Sequence, residues 1–172
     1  MRNRILIAYA STYGSTAEIA EYLGQVLHDM GGEVDVRGVK EITDISSYHN
    51  IVIGSATKMD KLLPDAVKFA KTHASDLRNM KTAYFAVGVT MKQDTPESRE
   101  KVRDFLEPLC QIQEPISCGL FAGKIDYSKL GFFWKVLASK DKSGLMEEGD
   151  FRNWDCIGKW ANEIAPALMN HL

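Results

Sequence analysis

The sequence contains few cysteines and no long apolar run, and both features limit the classes of protein that it can encode. Its three cysteines, Cys110, Cys118 and Cys156, are widely spaced and form no CxxC pair. We therefore expect reduced thiols rather than a disulfide framework. No apolar run approaches the about 18 residues that a membrane-spanning helix requires, and the first predicted strand begins almost at once, without a signal-peptide pattern. These features favour a cytoplasmic protein.

The sequence also lacks an excess of either charge. With 21 Lys and Arg against 23 Asp and Glu, the 172-residue chain carries a formal net charge of -2. This balance argues against a strongly basic nucleic-acid-binding protein, and the strong acidity common in proteins that dock basic redox partners is missing too. The four histidines, His28, His49, His73 and His171, have no spacing typical of metal ligands. We accordingly predict neither a nucleic-acid partner nor a metal site.

Short apolar runs alternate with amphipathic segments along the chain, and this alternation predicts a doubly wound α/β domain. The predicted strands span residues 4–9, 33–39, 50–54, 82–87 and 116–121, and the predicted helices span residues 16–30, 64–70, 96–109 and about 154–168. Five strands fit a parallel sheet of order 2-1-3-4-5, whose ligand crevice lies at the carboxyl ends of strands one and three. We expect residues 1–172 to form a single domain, because no linker interrupts them.

One segment, residues 124–152, interrupts this alternation between the fifth strand and the last helix; we call it the insertion. It is too long for an ordinary connection. Its first half is rich in aromatic residues, and its second half has the composition of a loop. The amphipathic residues 127–138 fit either a docking surface for a quinone, a porphyrin or the membrane surface, or simple packing against the rest of the domain.

A run of small and hydroxylated residues separates the first strand from the first helix. It consists of Ser11, Thr12, Tyr13, Gly14, Ser15 and Thr16, which is more than a helix cap requires. The N–H groups and dipole of a helix N-terminus favour an anion, and Gly14 permits close approach of the backbone. The run contains no Lys or Arg, and the phosphate motifs GxxxxGK[ST] and GxGxxG are both absent. It therefore predicts a phosphate monoester held by neutral donors.

Two further loops end at the same edge of the predicted sheet. One covers residues 54–60 after the third strand, and the other covers residues 88–94 after the fourth. Both are long enough to flank a flat ring. Together with the predicted phosphate loop, they indicate a mononucleotide with a planar head group.

The loop S-T-Y-G-S-T between a strand and a helix resembles the FMN-phosphate loop of the flavodoxins, with Tyr13 where many members have Thr. The resemblance covers the whole chain. The stretches VIGSATKMDK, VGVTMKQDTPESREKVRDFL and AGKIDYSKLGFFWKVL are similar to the flavodoxin branch that contains the menaquinone-dependent protoporphyrinogen dehydrogenases. The resemblance implies FMN as cofactor. It also implies that Thr57, Lys58 and Met59 lie on one side of the isoalloxazine ring, with Gly88, Val89 and Thr90 at its other side or edge.

The resemblance implies a flavin redox protein but leaves its reaction open. The first hypothesis is an electron carrier that exchanges electrons with a partner protein. The second is a menaquinone-dependent protoporphyrinogen IX dehydrogenase, and the third is an NAD(P)H quinone reductase, for which the sequence shows no nicotinamide site. In each case the flavin carries the chemistry, and no side chain need act as an acid or a base. A cationic Lys58 near the flavin would raise its reduction potential.

Overall fold

The predicted parallel strands form the central sheet of the computed structural model, which describes residues 3–170. They are β1 (Arg4–Ala10), β2 (Glu33–Gly38), β3 (Asn50–Lys58), β5 (Lys81–Val87) and β6 (Cys118–Phe121). The sheet order is β2-β1-β3-β5-β6, so the predicted order 2-1-3-4-5 of the five parallel strands is confirmed. A short additional strand, β4 (Lys61–Leu62), pairs antiparallel with the end of β3.

Helices cover both faces of this sheet. They are α1 (Ser15–Asp29), α2 (Pro64–Thr72), α3 (Ala74–Leu77), α4 (Pro96–Phe105), α5 (Glu107–Cys110), α6 (Phe132–Lys140) and α7 (Trp154–Met169). The predicted helix over residues 96–109 is divided in two near Leu106. Pro108 explains the division, because proline lacks the N–H that a continuous helix needs and its ring clashes with the preceding turn.

An apolar core lies on each face of the sheet, and adjacent residues of β5 pack alternately into one core and the other. Tyr84 packs in the core beneath α2 and α4, whereas Phe85 packs in the core beneath α1 and α7, and both are fully buried. The Phe85 ring centroid lies 6.1 Å from those of Phe121 and Trp160. This two-sided burial explains why the central strands are apolar throughout. The carboxyl ends of the five strands lie at one edge because the strands are parallel.

A short two-stranded ladder joins the beginning of the insertion to a position near its end. Strand β7 (Lys124–Ile125) pairs antiparallel with β8 (Gly149–Asp150). A 3-10 turn (Tyr127–Lys129) and α6 follow β7, and the rest is a loop as the sequence predicts. The Asp141 carboxylate organises this loop by accepting N–H hydrogen bonds from Ser143 and Met146 at 3.0 and 2.8 Å. Within residues 3–170, no helix is both long and apolar enough to cross a membrane.

Candidate functional site

A cleft lies at the carboxyl edge of the sheet, where β1, β3 and β5 end and the insertion begins. Ten predicted site residues line it: Ser11, Thr12, Tyr13, Ser15, Thr16, Thr57, Lys58, Met59, Gly88 and Val89. Gly14 lies in the first loop without lining the cleft. Thr90 lies outside the lining, in the 3-10 turn (Val89–Lys92) that follows Gly88. The structure thus brings the three predicted loops together.

The first wall of the cleft is the loop that enters α1. Gly14 has a φ of 95°, a left-handed conformation that favours glycine, and its N–H donates to Ser11 Oγ at 3.1 Å. No side chain caps the N-terminus of α1, so N–H groups of the first turn lack the acceptor that a capping side chain would provide. A phosphate would supply that acceptor, and the loop therefore fits the phosphate end of FMN.

The second wall consists of the loops that follow β3 and β5. Thr57 Oγ1 donates to the carbonyl oxygen of Val87 at 3.4 Å and joins the two loops. A Cβ atom on Gly88 would collide with the same Oγ1. Glycine therefore keeps this part of the cleft open, which fits the close approach of a flat ring.

A two-residue hairpin turn places Met59 at the mouth of the cleft. Met59 and Asp60 have φ angles of 51° and 60°, and Lys58 pairs with Lys61 across the turn. Positive φ at both positions is the geometry that two-residue hairpins need. Asn-Gly is the usual sequence of such turns, so Met59 and Asp60 did not predict β4. Met59 is 79% exposed.

The third wall comes from the insertion, which sequence reasoning did not assign to the site. The insertion contributes Lys124, Ile125, Asp126, Lys129, Leu130, Trp134 and Met146, and Gly123 lines the cleft immediately before it. The Lys58 ammonium lies 5.0 Å from the centroid of the Trp134 ring, a cation–π distance. One signal could have revealed this wall: the insertion begins directly after β6, whose carboxyl end lies at the same edge as the three predicted loops.

Arg152 fixes the base of the insertion against α1. Its guanidinium donates to Asp150 at 2.8 and 2.6 Å and also to Glu18, and it lies 4.7 Å from the Trp154 ring centroid. The hydrogen bond from Arg152, followed by weaker attraction to nearby lysines, lowers the pKa of Glu18. The hydrogen bonds to Asp150 and then Glu18 raise the pKa of Arg152. All three groups therefore stay charged.

The acidic residues near the end of the insertion make contacts that stabilise the fold of the insertion. Lys92 Nζ donates to the carbonyl oxygen of Gly144 at 2.7 Å and to Glu147 at 3.0 Å, and it lies 4.2 Å from the Phe151 ring centroid. The Glu148 carboxylate accepts the N–H of Tyr127 at 3.0 Å. These contacts hold the loop against the domain and against the 3-10 turn that precedes α6.

Metal-ligating side chains do not cluster in the described part of the chain. Across residues 3–170, no group of three or more His, Cys, Asp or Glu side chains could hold a metal ion. His171, the fourth predicted non-ligand, lies outside the described residues.

Comparisons with known proteins identify the family and the fold of the chain. A model of the flavodoxin domain family matches residues 6–143. The chain is 25% identical to the protoporphyrinogen IX dehydrogenase [quinone] of Escherichia coli strain K12, over 94% of each chain. It is 24% identical to the protein of that name from Leishmania major, over 94% of this chain and 74% of the relative. Flavodoxin 1 of Bacillus cereus shares the fold, with a TM-score of 0.57, 18% identity and 99% coverage of both chains.

The family match extends over most of the chain and includes all three loops of the cleft. The predicted phosphate loop and the second wall at Gly88 would fit the two ends of a flavin mononucleotide. The chain belongs to the flavodoxin domain family, and FMN is the cofactor that this membership implies.

Proposed function

We propose that the protein is an FMN-dependent oxidoreductase that oxidises a porphyrinogen and reduces a quinone. The observation that carries the proposal is the third wall: the insertion covers one side of the flavin cleft with Leu130, Trp134 and Met146. An electron carrier has no need of an apolar wall beside its flavin, whereas an enzyme that binds an apolar macrocycle does. The names of the relatives from Escherichia coli and Leishmania major support the same reaction.

Different residues of the cleft would bind the phosphate, contact the ring and orient the porphyrinogen. Ser11, Thr12, Ser15 and Thr16 would hold the phosphate, while Thr57 and the Gly88 backbone would border the ring. FMN, when bound, supplies the electron-accepting chemistry. The insertion would exclude water and hold the porphyrinogen against the ring edge.

The reaction balances without a catalytic acid or base in the protein. Each oxidation step removes a pair of electrons and two protons from the porphyrinogen, and one quinone takes up the same number and leaves as quinol. The protons can pass through solvent at the open mouth, because Tyr13 and Met59 there are both exposed.

Anaerobic mixing tests the reaction directly. Protoporphyrinogen IX is expected to bleach the visible absorbance of the FMN-loaded protein, and a menaquinone analogue is then expected to restore it as porphyrin fluorescence grows. Free FMN at the same concentration is the control. If porphyrinogen leaves the flavin oxidised while a one-electron donor reduces it, the carrier hypothesis replaces this one. Reduction by NADPH would favour a quinone reductase.

A membrane contact through residues 127–138 belongs to the same proposal, because quinones reside in the bilayer. Phe132 and Phe133 on α6 are 84% and 68% exposed, and their neighbour Trp134 lines the cleft. Exposed Lys135 and Lys140 on the same helix would favour anionic headgroups.

Flotation with anionic lipid vesicles measures this contact. The wild-type protein is expected to float, and the variant Phe132→Ser/Phe133→Ser is expected to remain at the bottom of the gradient. Ile116→Ser is the matched control, because Ile116 is 42% exposed but precedes β6, at the opposite edge of the sheet. Equal flotation of the double variant and the wild type would rule out the contact.

A further inference from the structure

The insertion contacts the predicted phosphate loop at two points and the first turn of α1 at a third. The backbone N–H of Lys124 donates to Ser15 Oγ at 3.2 Å, and Lys129 Nζ donates to the carbonyl oxygen of Tyr13 at 3.4 Å. Arg152 binds Glu18 in the first turn of α1. The base of the insertion is therefore docked on the loop that would receive the FMN phosphate.

The cations at this junction differ in how far their charge is neutralised. Arg152 forms salt bridges with Asp150 and Glu18, and its side chain is only 6% exposed. Lys124 and Lys129 both line the cleft, and neither makes a salt bridge within residues 3–170. The acidic side chains that line the cleft are Glu18, which binds Arg152, and Asp126. The Asp126 carboxylate accepts hydrogen bonds from the N–H and the hydroxyl of Ser128. Glu18 and Asp126 attract both lysines at longer range, but neither ammonium is held in a salt bridge within residues 3–170, so both can turn to a phosphate beside the loop.

We propose that Lys129, assisted by Lys124, forms the cationic part of the FMN phosphate site. The loop from Ser11 to Thr16 has no cation of its own, and the insertion supplies the missing charge from outside the loop. The phosphate of FMN carries between one and two negative charges near neutral pH, so it attracts an ammonium that already reaches the Tyr13 carbonyl. This inference rests on FMN as the cofactor and is independent of the porphyrinogen reaction.

A consequence is that cofactor binding and the folding of the insertion reinforce each other. If Lys129 binds the phosphate, then FMN stabilises the docked insertion by the same free energy with which the docked insertion stabilises FMN. Riboflavin has the same ring but no phosphate, so it should show neither effect. Because Lys129 is solvent-exposed, screening keeps the effect modest, at about fivefold in affinity.

Flavin titrations of Lys129→Gln test the proposal by fluorescence quenching. We expect the dissociation constant for FMN to rise about fivefold, with that for riboflavin unchanged, and the FMN effect to shrink in high salt. Lys124→Gln/Lys129→Gln should weaken FMN further. Lys135→Gln is the matched control, because Lys135 is exposed on α6 and does not line the cleft; it should change neither constant.

Limited digestion with chymotrypsin gives a second readout at the exposed Phe132 and Phe133. FMN should protect the wild-type insertion more than riboflavin does, and Lys129→Gln should abolish that difference. Equal weakening of FMN and riboflavin would show that Lys129 acts on the fold, and no change in either would also overturn the proposal. A wild-type protein that binds neither flavin would instead contradict the cofactor assignment, and none of these outcomes depends on porphyrinogen.

Discussion

Replacing residues 126–148 with the dipeptide Asn-Gly is expected to abolish porphyrinogen oxidation and leave the flavodoxin domain folded. The structure makes the excision feasible, because Ile125 and Gly149 are paired in the antiparallel ladder. A two-residue Asn-Gly turn can join them as a hairpin. The central sheet and both cores lie outside the removed segment, apart from the small patch that Ala138 buries within the insertion itself.

The expected loss is large because the excision removes the wall that would orient the porphyrinogen. Leu130, Trp134 and Met146 all disappear from the cleft. When a substrate is no longer positioned against the reacting group, the rate falls about hundredfold or more. We therefore expect kcat/KM for protoporphyrinogen IX to fall by at least that factor. Reduction of the bound flavin by dithionite should be unchanged, because it needs only access to the ring.

The measurement compares both proteins at saturating FMN, since the loss of Lys129 should weaken FMN binding. Circular dichroism and flavin absorbance show whether the excised protein is folded and loaded. Gly131→Ala is a control for the insertion, because a Cβ at Gly131 meets no atom within 4 Å. An excised, flavin-loaded protein that oxidises porphyrinogen at the wild-type rate would contradict the role given to the insertion.

The parallel sheet was predictable because its signals are local. Buried runs such as Ile51–Ile53 on β3 and the regular apolar stripe of α1 leave little choice of element. The break near Leu106 was not predicted, because the stripe of apolar residues continues across Pro108. Here the missing N–H of proline outweighs the apolar periodicity.

Part of the candidate site was predictable from the sequence, and part was not. The place of the loop from Ser11 to Thr16 in the cleft was predictable, since its polar groups lie in consecutive residues after a strand. The third wall was not, because Trp134 and Lys129 reach the cleft only through the fold of the insertion and its anchor at Arg152. Contacts between residues more than a hundred positions apart, such as Lys129 with Tyr13, leave no periodic trace in the sequence.

Gly88→Ala is expected to weaken FMN binding roughly ten- to hundredfold with little change in the stability of the domain. The Gly88 backbone is extended, with φ of -171°, so alanine introduces no backbone strain. The added methyl would collide with Thr57 Oγ1, which must leave the Val87 carbonyl and turn into the cleft. Overpacking of this kind costs about 1–3 kcal/mol, and here the cost falls on the bound flavin, because the apo cleft can accommodate the rotated side chain.

A double-mutant cycle with Thr57→Ala separates this collision from other effects. The Cβ atoms of positions 57 and 88 would lie 3.2 Å apart, which is tight but tolerable once the hydroxyl is gone. Thr57→Ala/Gly88→Ala should therefore bind FMN within about threefold of Thr57→Ala alone, a coupling of the size expected for residues in contact. If the double variant is as weak as Gly88→Ala, the loss arises elsewhere in the loop. If Gly88→Ala binds FMN like the wild type, the ring does not approach Gly88, and the second wall of the site is wrongly placed.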